Sequence, residues 1–578
     1  MADARNERAR MTAAAALAAL LALVVVLIAP QPGTAAGDPA ARAVKKRTEV
    51  LVRSTAHDAK SIRETYVRVH YPLPKSAPAH PKACDYIGYL RYRNPSGPRN
   101  PKNADAVIVA IPGFLGGAAS FDQIARNVVR AAAKRGRDVE FWGLDRRANC
   151  LEDLRGLHAE ARARDERVAF GYYFGDRRVK GKRFGGFVSR EDAEFLKTFG
   201  LKRTLQDWYR VIQRLPRKVR ARKLICGGHS LGGPLTAAFA SWDFDGNPQT
   251  TRDAGFRQCA GLFGLDTGLD LNAFSPGTPG GGAVSGLVAQ SGGSPYVDAP
   301  PLTPRTIQTL TIMGPVAHFR PNRESLVNRL IPDTPEFELT LRTLYSKDAT
   351  SFASGEPNPR EIRLTNAGVL GGVLDDNSAG ISILRSSLGF IKGGPLTDKN
   401  FPAPDPTLAL PEETNGPLYS WYGYRRTGRK GGPIALNDGG EPYTTRESEI
   451  SSIRELARVL FEGPSNFVEQ YFPLRLLTDV AAASPDDYPQ LRYDGVSKRP
   501  ALLIQAGDSD SNENPDAGPP QKGTPPNDKL LSREVILPGY NHLDVVTAAR
   551  RQNDGRPEGS SHTLLNFTLA AVRAAKRR

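Results

Sequence analysis

Only four cysteines occur in the 578 residues: Cys84, Cys150, Cys226 and Cys259. No two of them are separated by two residues, and the eight histidines are not spaced as metal ligands. The sequence therefore offers no zinc finger, ribbon or similar Cys/His cluster, and nothing in it implies a metal or a cofactor. After the N-terminal segment no apolar run reaches spanning length, which excludes a multi-span membrane protein. Repeats and long low-complexity tracts are missing too, which excludes solenoids and fibrous chains. The formal charge is +17, but its basic residues are scattered, at Lys45-Lys46-Arg47, from Arg217 to Lys223, and at Lys576-Arg577-Arg578. They are not gathered with aromatics into a patch, so no nucleic acid partner is indicated. This reads as a solvated basic surface with at most weak adhesion to an anionic cell envelope.

What is present describes a globular protein, with 40% hydrophobic and 24% charged residues. The first 36 residues differ from the rest. Arg5, Arg8 and Arg10 lead into an apolar run from Met11 to Ala29, broken by Pro30, Pro32 and Gly33 and followed by Thr34-Ala35-Ala36. Positive, apolar and small in that order is the pattern of a secretory signal peptide over 1–36, with an uncleaved anchor as the alternative. Export brings an oxidising compartment. Cys84 and Cys150 flank polar segments and are expected to form a bridge. Cys226 and Cys259 lie within apolar runs and read as small buried residues.

Along the chain, short β-rich runs ("TEVLV", "TYVRVHYPL", "DYIGYLRYR") precede a regular alternation. "DAVIVAIPGF", "VEFWGLDRR", "KLICGGHS", "CAGLFGLD", "ALLIQAGD" and "EVILPGYNH" are continuous apolar strands. The segments between and after several of them carry helical spacing, the last being "SSHTLLNFTLAAVRAA". Such strands alternating with helices predict an α/β fold, a mostly parallel sheet covered by helices on both faces. The rhythm stops between about 268 and 498. The opening of that stretch, to about 300, is rich in Gly, Ser and Pro and reads as loop, with "SPGTPGGGAVSG" as a hinge. Helical pieces such as "EISSIRELARVLFEG" follow. The expected organisation is a core over 37–267 and 499–578, interrupted by a large, mainly helical insertion over 268–498.

One motif stands out within this frame. Chance alone yields G-x-S-x-G about 0.3 times in a chain this rich in glycine and serine, so only its setting gives it meaning. In "LICGGHSLGGPLTAAFASW" a buried strand runs straight into Ser230, and a helix opens just after it. Gly228, Gly232 and Gly233 permit close backbone approach, and Pro234 suits a first helical turn.

Here the chain resembles the α/β-hydrolase family, over about 48–267 and 499–578, with the insertion unmatched. The resemblance implies that Ser230 is a nucleophile on a strained strand-to-helix turn. A serine needs a base. Of the histidines, His542 ends "EVILPGYNH" just past the last strand, where the family carries its histidine, whereas His229 shares the turn with the serine and would point elsewhere. For the acid the family places a carboxylate after the penultimate strand, here Asp510 or its neighbour Asp508. The spacing G-x-x-D favours Asp510, with Asp508 as its alternate and Asp266, one strand earlier as in some members, as the other. Oxyanion donors would be the backbone N–H groups of Leu231 and of Phe114 in "IPGFLGG". Asp145, Arg146 and Arg147 read as a structural ion pair beside the site, and Asp207 as a surface or packing group.

The activity implied is that of a secreted serine hydrolase of small-molecule or lipid esters, an esterase or lipase. A secreted aminopeptidase of the same fold, or an extracellular binding protein on a hydrolase scaffold, are the rivals. The insertion is expected to cap the site, with aromatics such as Phe319, Phe461 and Phe472 available to line an acyl pocket.

Overall fold

A computed structural model describes residues 46–379, 384–402, 405–427, 435–508 and 532–577. The leader over 1–36 and Asp510 lie outside the described residues. Among the described residues no helix is long and apolar enough to cross a membrane.

Nine strands form one sheet. In chain order they are β1 (Arg47–Leu51), β2 (Arg63–His70), β3 (Tyr86–Arg93), β4 (Ala106–Ile111), β5 (Val139–Asp145), β6 (Leu224–His229), β7 (Gly261–Leu265), β12 (Ala501–Ala506) and β13 (Arg533–Leu537). Between β7 and β12 the chain adds four short strands, β8 (Gly389–Lys392), β9 (Leu396–Lys399), β10 (Asp405–Pro411) and β11 (Ser420–Gly423), paired antiparallel as β9–β10 and β8–β11 into two small sheets apart from the main one. The main sheet runs in the order β1-β2-β3-β5-β4-β6-β7-β12-β13. Pairing is antiparallel from β1 through β5 and parallel from β5 to β13.

Burial explains why these residues chose this sheet. The central strands AVIVAI, VEFWGLD, LICGGH and GLFGL are buried at every position, as strands covered on both faces must be. The edge strands β1 and β13 are largely exposed, apolar Val50, Leu51 and Ile536 included. Of the two acidic residues in β5, Glu140 is matched by the buried Arg91, whose Nε donates to it at 2.8 Å, and Asp145 closes the strand at its carboxyl end.

From β4 the chain steps to β5 through the helix Asp122–Lys134, but from β6 it steps the opposite way to β7 through Gly232–Ser241. Right-handed crossovers in opposite directions put these two helices on opposite faces. They also create a switch point between β4 and β6, where a crevice opens at the carboxyl ends of the strands. The C-terminal helix Gly559–Arg577 packs beside Asp122–Lys134.

Two expectations change. The segment read as loop contains the helix Pro279–Ser291, which the Thr278 side chain caps by accepting from Gly281 N; Pro279 sits in its first turn, and Gly292, at φ 55°, closes it. The supposed hinge is the start of that helix. The long buried helix Pro304–Phe319 follows, opened by a Thr303–Thr306 capping box.

The cysteines form two disulfides, Cys84–Cys150 as expected and Cys226–Cys259 in place of two buried thiols. The second was hidden because it depends on β6 lying beside β7. That neighbourhood brings the two Cα atoms to 6.0 Å, within bridging range. The bridge closes a loop between residues 33 apart in sequence. Replacing both cysteines by alanine is expected to cost about 3 kcal/mol, read as a fall in the unfolding free energy extrapolated to zero urea.

Candidate active site

The switch point assembles the residues the sequence singled out. Ser230 follows β6 at φ 53°, a left-handed conformation that a serine adopts only under constraint. Its N–H donates to the Leu265 carbonyl at 3.0 Å, which places the turn beside the end of β7. The approach around it is close. A Cβ on Gly232 would come within 2.4 Å of the Ile111 carbonyl oxygen, and one on Gly113 within 2.8 Å of the Ser230 Cβ. Both positions therefore need glycine.

His542 lies on the loop after β13. Its Nδ1 donates to Asp266 Oδ2 at 2.6 Å. Asp266, also at positive φ (44°), is the residue immediately after β7, and its other oxygen accepts the Ala506 N–H at 2.9 Å. Burial pushes the Asp266 carboxyl up, but the hydrogen bond and charge of His542, with the Ala506 amide, outweigh it and hold the carboxyl below its usual value. A carboxylate can only accept, so the His542 proton sits on Nδ1 and Nε2 is left as the basic nitrogen. Among the described residues, neither that nitrogen nor the Ser230 hydroxyl has a hydrogen-bond partner. A serine–histidine contact of this kind commonly tightens only with substrate in place.

Asp508 does something else. It accepts the Gly539 N–H at 3.2 Å while its own N–H donates to the Tyr540 carbonyl, so it braces the loop that carries His542. Of the two candidate aspartates among the described residues, Asp508 and Asp266, it is Asp266 that bonds the histidine.

His229 makes no hydrogen bond to the serine hydroxyl among the described residues and bonds the histidine loop instead. Its Nε2–H donates to the His542 carbonyl at 3.0 Å, and the two rings lie 4.5 Å apart. Burial and the nearby His542 charge drive its pKa down to about 3. The unfolded chain takes up this proton below about 6.5, whereas the folded chain refuses it down to about 3. The stability this neutral ring provides is therefore complete above about 6.5 and is lost progressively as pH falls, reaching about 2 kcal/mol by pH 5. His229→Gln should flatten that acid limb, measured as a smaller difference in urea midpoint between pH 7 and pH 5.

The oxyanion donors expected from the sequence lie on the loop after β4 and on the Ser230 turn. The N–H groups of Phe114 and Leu231 make no hydrogen bond among the described residues. The loop bearing Phe114 is held by Arg146, whose guanidinium donates to the carbonyls of Pro112, Gly113 and Gly116. With its carbonyls gathered on one side, and Leu115 at φ 54°, the loop keeps its free amides fixed. Arg146 also pairs with Glu469 at 2.9 Å, and Arg147 pairs with Asp207. The ion pairs foreseen here thus exist with different partners, and Asp145 instead accepts from Tyr66, Asn149 and Ser465.

Sequence reasoning missed how much of this the insertion supplies. Gly117 N–H donates to the Phe467 carbonyl at 2.9 Å, Glu469 N–H to the Leu115 carbonyl at 2.7 Å, and Phe472 meets Phe114 edge-on at 5.0 Å. On the histidine side, the buried Asp544 accepts from Asn541 N–H and from the hydroxyls of Ser386, Ser387 and Ser451. The only sequence signal was an aspartate two residues beyond His542. A cavity of about 900 Å³ lies between β1–β3 and Phe319 and Phe461, but neither Ser230 nor His542 lines it.

No family model and no curated protein matches the chain. Among solved structures it is similar, at 13% identity, to a protein of Sulfolobus solfataricus described as a "putative lipase", over 92% of this chain and 99% of that one with a TM-score of 0.40. The juvenile hormone epoxide hydrolase of the silkworm Bombyx mori is similar at 9% identity over 89% and 77%, with a TM-score of 0.31. A soluble variant of monoglyceride lipase from Saccharomyces cerevisiae is similar at 11% identity over 87% and 94%, with a TM-score of 0.23. These likenesses are distant, and the strand order, the switch point and the Ser230 turn themselves define the fold.

Proposed function

We propose, from the α/β-hydrolase fold that this chain adopts, that it is a secreted serine hydrolase cleaving carboxylic esters through an acyl-enzyme. The observation that carries the reading is the His542–Asp266 pair at 2.6 Å, held beside the positive-φ turn of Ser230. Ser230 Oγ attacks the ester carbonyl as His542 Nε2 takes its proton. The resulting oxyanion is held by the Phe114 and Leu231 amides, and the imidazolium is balanced by Asp266. Collapse expels the alcohol, which receives the proton from His542. Water, activated by the same nitrogen, then releases the acid and restores Ser230.

Several features support secretion and an ester substrate. Two disulfides suit an oxidising compartment, and the pattern over 1–36 is that of an export signal. The insertion leaves the sheet directly after Asp266 and returns through Phe467–Phe472 against the oxyanion loop, so it borders the crevice on two sides and acts as its cap. A panel of p-nitrophenyl esters of graded chain length against aminoacyl anilides tests the reading, with a fluorophosphonate probe reporting the nucleophile. Turnover of esters with probe labelling is the expected result. Activity on anilides alone would make the protein an aminopeptidase, and a folded protein that takes no label would make it a binding scaffold.

A further inference from the structure

The crossover that joins Ser230 to Asp266 contains a second chemical feature, unconnected with acyl transfer. Just after the helix Gly232–Ser241, the side chains of Asp243, Asp245 and Asp253 converge, each offering a carboxylate oxygen, with the three atoms all within 4.8 Å of one another. An ion with oxygen contacts of about 2.4 Å holds any two of its ligands no more than about 4.8 Å apart, so the set fits one centre.

An independent observation points to a ligand. The Asp243 side chain is fully buried, at 0% exposure, yet its Oδ2 has no hydrogen-bond partner among the described residues, and the buried Asp253 Oδ1 has none either. The nearest cation, Arg492, brings its Nε to 3.5 Å from Asp243 Oδ2, but that N–H is already given to the Pro489 carbonyl at 2.8 Å. A buried carboxylate oxygen without a donor is costly, and the two other carboxylates beside it add repulsion.

We propose that Asp243, Asp245 and Asp253 form a calcium site that clamps the loop between the serine helix and β7. All three ligands are hard oxygens, with no nitrogen or sulfur, which excludes zinc and copper as preferred ions. The set mixes one buried, one half-buried and one exposed carboxylate on an irregular turn. That suits calcium, which tolerates variable geometry and fills the remaining positions with water, better than magnesium with its strict octahedron.

Calorimetric titration of the full chain with calcium chloride, after exhaustive dialysis against EDTA, tests this. One saturable site is expected, with a Kd on the order of 10⁻⁴ M as for extracellular modules. The melting temperature should rise by about 2 °C at 10 mM calcium. Asp245→Asn, an exposed and nearly isosteric change, should weaken binding at least tenfold while melting at or above the wild-type temperature in EDTA. Asp253→Asn is the second variant and should do the same. No saturable heat and no shift up to 10 mM calcium would overturn the proposal, as would wild-type binding by both variants. Tighter binding of magnesium chloride in the parallel titration would overturn the choice of ion.

Discussion

Ser230→Ala is expected to lower ester kcat/KM by about 10⁴- to 10⁶-fold and to abolish fluorophosphonate labelling, with the thermal melt unchanged. The size of the loss follows from the mechanism, because without the hydroxyl no acyl-enzyme forms and only the oxyanion donors and binding remain. The unchanged melt follows from the structure, since the Ser230 hydroxyl makes no hydrogen bond among the described residues and alanine keeps the same Cβ at the same φ of 53°. Ser230→Gly separates the two effects. It removes the same hydroxyl but also relieves a left-handed conformation that costs an L-residue about 1–2 kcal/mol, so it should be equally inactive and more stable by about 1 kcal/mol. Persistent labelling of the alanine variant would mean that another residue is the nucleophile.

The second large effect discriminates among the aspartates. Asp266→Asn should reduce kcat by about 10⁴-fold with little change in KM, because an amide can donate to Nδ1 and stabilise the wrong tautomer while no longer balancing the imidazolium. Asp508→Asn should stay within about threefold, since among the described residues that carboxylate accepts only the Gly539 N–H, a bond the asparagine oxygen can keep. Asp510→Asn should likewise remain near wild type. A large loss in either of these two with an active Asp266→Asn would move the acid back to the position after the penultimate strand.

The pattern of what could be read in advance has a physical cause. β4, β5, β6 and β7 were legible because strands covered on both faces must be continuously apolar, and the serine turn because strand, glycines and helix are adjacent in sequence. The helix Pro304–Phe319 was not singled out because it is buried nearly all round, which erases the 3.6-residue periodicity that marks a half-exposed helix. Pro279–Ser291 hid behind its glycines, although Thr278 and Pro279 are ordinary start signals. The choice among Asp266, Asp508 and Asp510 depends on which loop end faces His542 across three strands, and no local pattern encodes that. The same holds for the Cys226–Cys259 bridge and for the Arg146–Glu469 pair, whose partners meet only after the sheet order is set.

The seam between the Phe114 loop and the segment Phe467–Phe472 bears on the order in which the proposed site is completed. Its partners are separated by some 350 residues, and the histidine loop adds contacts from Asp544 back to Ser386 and Ser387. Such distant pairings close late, after the loop entropy between them has been overcome. The central strands can therefore form while the oxyanion loop is still unbraced. In a refolding experiment the sheet signal should recover before ester hydrolysis does, with catalytic competence as one of the last properties the chain acquires.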